Sequence, residues 1–207
     1  MQKTFLACAL ALSLAGAATP VLAQSKGDWT LGVGVHAVDP KSGNGRLADG
    51  TLPVRVDTDV KPTLTFEYFV RDNLGVEVIA AWPFEHDVSI AGLGTVGSTK
   101  QLPPTVSLQY HFNTKGKVSP FLGAGVNYTT FFSEDTRGAL AGSKLKLDDS
   151  WGLAAHAGVD FALNERSAIR IDARWIDIDT DVKLDGAGLG TVNIDPIVYG
   201  AAYVMKF

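Results

Sequence analysis

What most restricts this chain is a period-two alternation of apolar and polar residues that recurs in segment after segment. The clearest case is QLPPTVSLQYHF, residues 101–112. Pro104, Val106, Leu108, Tyr110 and Phe112 share one face, and Thr105, Ser107, Gln109 and His111 share the other. Successive side chains of a β-strand point to opposite sides, so this pattern predicts a strand with one apolar and one polar face. Seven more segments repeat it. WTLGVGVHAV aligns Trp29, Leu31, Val33, Val35 and Ala37; the stretch from Pro62 to Val70 aligns Leu64, Phe66, Tyr68 and Val70. GVEVIAAW aligns Val76, Val78, Ala80 and Trp82, and FLGAGVNYTTFF aligns Leu122, Ala124, Val126, Tyr128 and Phe132. A run from Ser150 aligns Trp151, Leu153, Ala155, Ala157, Val159 and Phe161, and SAIRIDARWIDI aligns Ile169, Ile171, Ala173 and Trp175. The last segment, from Pro196 to the final residue, aligns Ile197, Tyr199, Ala201, Tyr203, Met205 and Phe207.

The connections alternate in length. Arg71-Asp72-Asn73, 113–117 and 163–166 are tight polar turns, whereas 39–59, 84–100, 133–149 and 179–195 are long. This predicts an all-β fold: an eight-stranded antiparallel transmembrane β-barrel with short periplasmic turns and long extracellular loops. Strands of about 10 to 12 residues, at about 3.3 Å per residue and a tilt near 40°, cross roughly 25 Å, the height of such a barrel's apolar band. A soluble lipocalin-like barrel or sandwich would turn its apolar faces inward. Here those faces begin or end in aromatics, namely Trp29, Tyr68, Trp82, Phe112, Tyr128, Trp151, Trp175, Tyr199 and Phe207, as two membrane-interface girdles require. The chain stops on Tyr203-Val204-Met205-Lys206-Phe207, an alternating strand ending in Phe. Outer-membrane barrels commonly present that ending to the barrel assembly machinery, which makes Phe207 its expected contact.

Residues 1–23 read as a signal peptide: Lys3, an apolar run from Phe5 to Ala18, then Pro20 and Val21-Leu22-Ala23. Residues 24–207 are then the barrel, about 184 residues (207 less 23). The one cysteine, Cys8, falls in the leader, so disulfides, thiolate catalysis and cysteine-ligated metals are excluded from the rest. Without Lys3 the formal net charge of −4 becomes −5, which argues against a nucleic-acid partner. Export and a lipid-facing barrel together predict the outer membrane of a Gram-negative bacterium, with its lipid as surroundings.

Several stretches resemble one family, the OmpW family of small outer-membrane channels. They are DNLGVEVIAAWPFEHD (72–87), LPPTVSLQYHF (102–112), PFLGAGVNYTTFF (120–132), LDDSWGLAAHAGVDF (147–161), WIDIDT (175–180) and Asp195-Pro196. The resemblance covers nearly the whole chain after the leader. It implies an eight-stranded barrel that passes small hydrophobic molecules across the outer membrane.

With a periplasmic N-terminus, inward residues sort by height. Glu67, Glu77, His111, Asp160, Arg170, Asp172 and Lys206 lie low and can neutralise one another. Ile79, Ala81, Phe131, His156, Arg174 and Ile176 lie higher. An eight-stranded barrel is just wide enough for its side chains to fill it, so the low set is expected to plug the lumen beneath a partly apolar funnel. A greasy solute cannot readily cross a charged floor, because desolvating those groups around it is costly. It needs a sideways exit. Pro83 ends one strand, Pro103 and Pro104 begin its neighbour, and proline gives the ladder no N–H donor. A lateral gate at Pro83, Pro103 and Pro104 follows, and the resemblance points the same way; prolines also cap strand ends without any gate. Within the resemblance, Ile79 matches an apolar residue of the constriction. Arg174 departs from it, standing where relatives can carry an aromatic, and is expected to shift selectivity toward polar or anionic solutes.

Other signals carry less. GLGTVG at 92–97 fits G-x-G-x-x-G but leads to prolines and no helix, so it predicts no dinucleotide site; GLGTV at 188–192 reads with it as a pair of loop hairpins. His86-Asp87 lacks a nucleophile or third group, and no histidine pair has a ligand spacing, so neither an enzyme nor a metal or other cofactor is expected. The acidic runs 57–59 and 177–181 read as solvated, with weak divalent binding open. The functional alternative to a channel is an interaction barrel whose loops bind surfaces, phage or bacteriocins without transport.

Overall fold

The computed structural model describes residues 24–207; the leader expected over 1–23 lies outside the described residues. In chain order the strands are β1 (Trp29–Asp39), β2 (Arg46–Leu47), β3 (Leu52–Val56), β4 (Asp59–Arg71), β5 (Leu74–Ala81), β6 (Phe84–Ile90), β7 (Gly94–Leu102) and β8 (Thr105–His111). They continue with β9 (Val118–Thr136), β10 (Leu145–Leu147), β11 (Ser150–Asn164), β12 (Ser167–Ile176), β13 (Asp179–Leu184), β14 (Ala187–Asn193) and β15 (Ile197–Lys206). Eight of them close a barrel in the order β1-β4-β5-β8-β9-β11-β12-β15, every pair antiparallel, with β15 returning to β1. These eight are the segments that the alternation predicts.

Sidedness is as expected within this trunk. Val33, Val35, Leu64, Leu108, Leu122, Leu153 and Ile171 are exposed on the outside, and Trp151 is 73 % exposed. Their inward neighbours Thr65, Glu67, Gln109, His156 and Arg170 are buried. Such a surface is stable only against lipid, since water would penalise it at about 25 cal/mol per Å². The aromatics gather at two heights. Trp29 stacks on Phe207 with ring centroids 4.3 Å apart at the periplasmic edge, and Tyr128 meets Trp151 at 4.8 Å at the outer edge. From Trp151 to Phe161 along β11 the rise is about 25 Å at ~3.3 Å per residue and ~40° tilt.

The long connections are not irregular loops. β2, β3, β6 and β7 extend the barrel sheet above β9, and β10, β13 and β14 form a second small sheet. In this extension the sidedness reverses. Val54, Ile90, Val96, Leu147, Val182 and Val192 pack inside, while Arg55, Glu85, Lys146 and Asp181 face out. The outer solvent is now water, so the apolar residues turn inward to a core that also holds Phe84, Phe131 and Ile194. The hairpin tips carry suitable turn residues. Asp185 and Gly186 join β13 to β14 as a two-residue turn with φ of 51° and 85°, the left-handed pair that a type I′ turn needs. The two GLGTV copies also lie in hairpins, across the β6–β7 tip and in β14.

Candidate functional site

All eight trunk strands line the lumen, and β5 and β12 stand diametrically opposite in their order. On one wall Glu67 of β4 and Glu77 of β5 are directly paired in register, an arrangement that repulsion disfavours. Arg170 of β12 crosses the barrel to offset it. Its Nε and Nη2 donate to Asp160 at 2.7 and 3.0 Å, its Nη1 to Glu77 at 2.7 Å, and its Nη2 also to Glu67 at 3.3 Å. The guanidinium lies 4.5 Å from the Phe121 ring centroid, so a π face supports it from the side. His111 Nε2 stands 2.9 Å from Glu67, and His36 bridges Thr63 at 2.6 Å and Asp172 at 3.1 Å. Glu67, Glu77, His111, Asp160, Arg170 and Asp172 are thus brought together, all buried. Lys206 is less buried: its side chain is one-fifth exposed and pairs with Asp28 at 3.1 Å near the periplasmic rim.

Two residues expected in the funnel also join this network. Arg174 Nη2 donates to Glu77 at 2.7 Å, and His156 Nε2 lies 2.8 Å from Gln109 Oε1. Both sit on inward positions, where a long polar side chain in a narrow lumen finds polar partners nearby, and Arg174 lines the cavity above as well. Gln109, which also donates to Glu67 at 3.0 Å, was legible as an inward polar residue but carried no sign of this linking role. Glycines make the room. A Cβ on Gly75 would fall 2.2 Å from Glu67 Oε1, and one on Gly123 would fall 2.2 Å from His156 Nε2.

Above the network the space divides in two. A cavity of about 20 Å³ is lined by Ile79, Ala81, Ile176, Val198, Arg174 and Pro103. Higher, inside the extension, an apolar cavity of about 170 Å³ is walled by Val96, Phe131, Leu140, Val192 and Ile194, with His86 and Gln101 among them. His86 Nδ1 donates to the Asp57 carbonyl at 2.6 Å, so Nε2 accepts from Gln101 Nε2 at 2.9 Å. Burial, only partly opposed by that bond and by Asp57 and Asp59, lowers its pKa and keeps it neutral. Asp87 is occupied separately by Arg137 at 2.9 Å.

The prolines flank a break in the wall. The β5–β8 ladder runs up to Ile79 opposite Thr105, and pairing resumes only between β6 and β7 at Phe84 opposite Gln101. Ala80 to Pro83 and Leu102 to Pro104 lie between, without register partners across the seam. On its other side the chain stays attached, because Pro104 O accepts from Tyr128 N at 3.1 Å and from Asn127 Nδ2 at 3.1 Å. Ala80, Ala81 and Pro103 all touch the small cavity, which therefore abuts the break. At the outer surface, Asp177, Asp179 and Asp195 bring carboxylate oxygens within 4.8 Å of one another, and Lys41 pairs with Asp195 at 2.6 Å. Burial, then Asp179 and Asp195, raise the pKa of Asp177.

The OmpW family profile matches residues 25–207. The chain belongs to the OmpW family. Outer membrane protein W of Vibrio cholerae is 37 % identical over 219 residues, covering all of both chains. The crystal structure of OprG from Pseudomonas aeruginosa superposes with a TM-score of 0.81 at 38 % identity, covering 90 % of this chain and 99 % of that one. A further relative, the dibenzothiophene metabolism operon protein PahQ of Pseudomonas aeruginosa, is 30 % identical over 156 residues, 70 % of each chain. This OmpW-family barrel is accordingly an outer-membrane protein of the Gram-negative type.

Proposed function

We propose that this OmpW-family protein is an outer-membrane channel for small hydrophobic molecules, which enter through the extracellular extension and leave sideways into the bilayer. The observation that carries the reading is a vertical change of chemistry. An apolar cavity of about 170 Å³ stands above a lumen crossed by buried ion pairs, with an interrupted ladder at the level between them. A hydrocarbon gains by entering the upper cavity, whose size is that of a single-ring solute; an engineered cavity of about 150 Å³ takes up benzene. It is stopped by the charged plug, where displacing any partner strands a buried ion at a cost of about 3–5 kcal/mol. The break at Pro83, Pro103 and Pro104 is the lateral gate, since it abuts the small cavity and has few main-chain hydrogen bonds to break. A relative named for a dibenzothiophene metabolism operon supports an apolar cargo.

The test replaces Pro103 with Thr, which restores a donor on the seam, and Pro104 with Val, which restores one toward β9 and removes the second ring beside the break. Uptake of toluene by cells whose outer membrane carries the double variant should fall severalfold with unchanged barrel abundance; unchanged uptake removes the gate. Phe207 acts in the same reading as the contact for the assembly machinery, so Phe207→Ala should lower the amount of folded barrel in the membrane, measured by its heat-modifiable gel mobility.

A further inference from the structure

One guanidinium in the lumen is only partly used by its protein partners. Arg174 is 2 % exposed. Its Nη2 donates to Glu77 at 2.7 Å and stands 4.0 Å from Asp172, but Nε and Nη1 have no acceptor among the described residues. Arg170 differs: its Nε, Nη1 and Nη2 are all engaged by Asp160, Glu77 and Glu67. Leaving buried donors of a cation without acceptors is costlier than leaving neutral ones. Arg174 also lines the cavity of about 20 Å³, beside Ile79, Ile176, Val198 and Pro103. That space suits one oxygen-sized group, for which about 10–15 Å³ suffices.

Resting on the channel reading, we propose that Arg174 forms a polar subsite at the inner end of the solute path. It takes the oxygen of an apolar molecule that bears a single uncharged carbonyl or hydroxyl group. The hydrocarbon part then lies against Ile79, Ile176 and Val198, or along the seam at Pro103. The same surroundings select against a carboxylate. Glu67, Glu77, Asp160 and Asp172 already outnumber the two guanidiniums, and Glu77 and Asp172 both stand beside Arg174. A further anion would meet that excess, whereas a neutral oxygen accepts the free N–H groups without adding charge. A plain alkane offers no acceptor. The expected order is ketone or alcohol first, alkane next and carboxylate last.

The experiment uses the whole barrel in lipid nanodiscs, with 2-octanone, nonane and octanoate as probes. The Arg174 Nε–H resonance should shift saturably with 2-octanone and stay in place with nonane and octanoate. In cells that carry this barrel, the ratio of 2-octanone to nonane uptake should fall about fivefold in Arg174→Lys, the worth of roughly one hydrogen bond. Lysine keeps a cation beside Glu77 and lacks the two N–H groups in question, so the ratio reads the oxygen's recognition whatever the change in total uptake. The subsite is overturned if the resonance ignores 2-octanone or answers nonane equally, and also if the lysine variant keeps the uptake ratio. Should the lysine variant fail to assemble, the titration of the unaltered barrel still decides. Uptake of both solutes that does not depend on the barrel defeats the channel reading instead, and the resonance alone then judges the subsite.

Discussion

Arg170 and Arg174 leave one strand and reach carboxylates on the strand diametrically opposite, so each is a brace across the lumen as well as a charge. Glu77 receives both braces. Glu77→Ala should therefore destabilise the barrel by about 3–5 kcal/mol, the cost of leaving buried cations with a partner removed, read as a lower urea midpoint in detergent micelles. Gly123 faces the ring of His156 with no room for a methyl group. Gly123→Ala should shift the His156 ring resonances and cost about 1–3 kcal/mol by overpacking. Residue chemistry of this kind was only half legible. Inward-facing Glu67, Glu77 and Arg170 followed from strand parity, but which carboxylate each arginine reaches depends on strands remote in sequence. His156 and Arg174 look like funnel residues by height alone, and only the cross-lumen distances assign them to the network.

Among the elements, the trunk strands and the hairpins above them follow opposite rules. β6 and β7 bury Phe84, His86, Ile90 and Val96 and expose Glu85, the reverse of β5 directly beneath. Alternation was present in both, yet it announced strands only where the apolar face was long enough to cross lipid. The extension's strands are shorter and pack against segments distant in the chain, so they read as loops. His86 ties β6 to β7 and to Asp57, and its pKa is lowered by burial. For a histidine held neutral, the folded form binds fewer protons than the unfolded one, so its contribution is present above the ordinary value near 6.5 and fades as pH falls below it. Protection factors of the β6 and β7 amides, which allow for the slower intrinsic exchange in acid, should accordingly fall on acidification below about pH 6.5, and His86→Gln should flatten that response. The break between β5 and β8 belongs to this scale as well. Prolines marked its place, and the register on either side shows the ladder interrupted over Ala80–Pro83.

For the whole molecule, stability rests on which side each face meets. Leu108 is 56 % exposed near the middle of β8, on the lipid face. Leu108→Arg should cost about 2–4 kcal/mol if that position lies at the bilayer midplane, measured by reversible unfolding into denaturant from lipid vesicles. The amino-acid sequence by itself determined the eight trunk strands, their order of short and long connections and their sidedness, because strand parity is local and lipid imposes one rule on every strand. Only the tertiary structure decided how the lumen is partitioned: the cross-barrel braces, the two cavities, the stranded extension and the seam they adjoin. Those depend on register between strands and on the diameter of the closed barrel, quantities that no local pattern encodes.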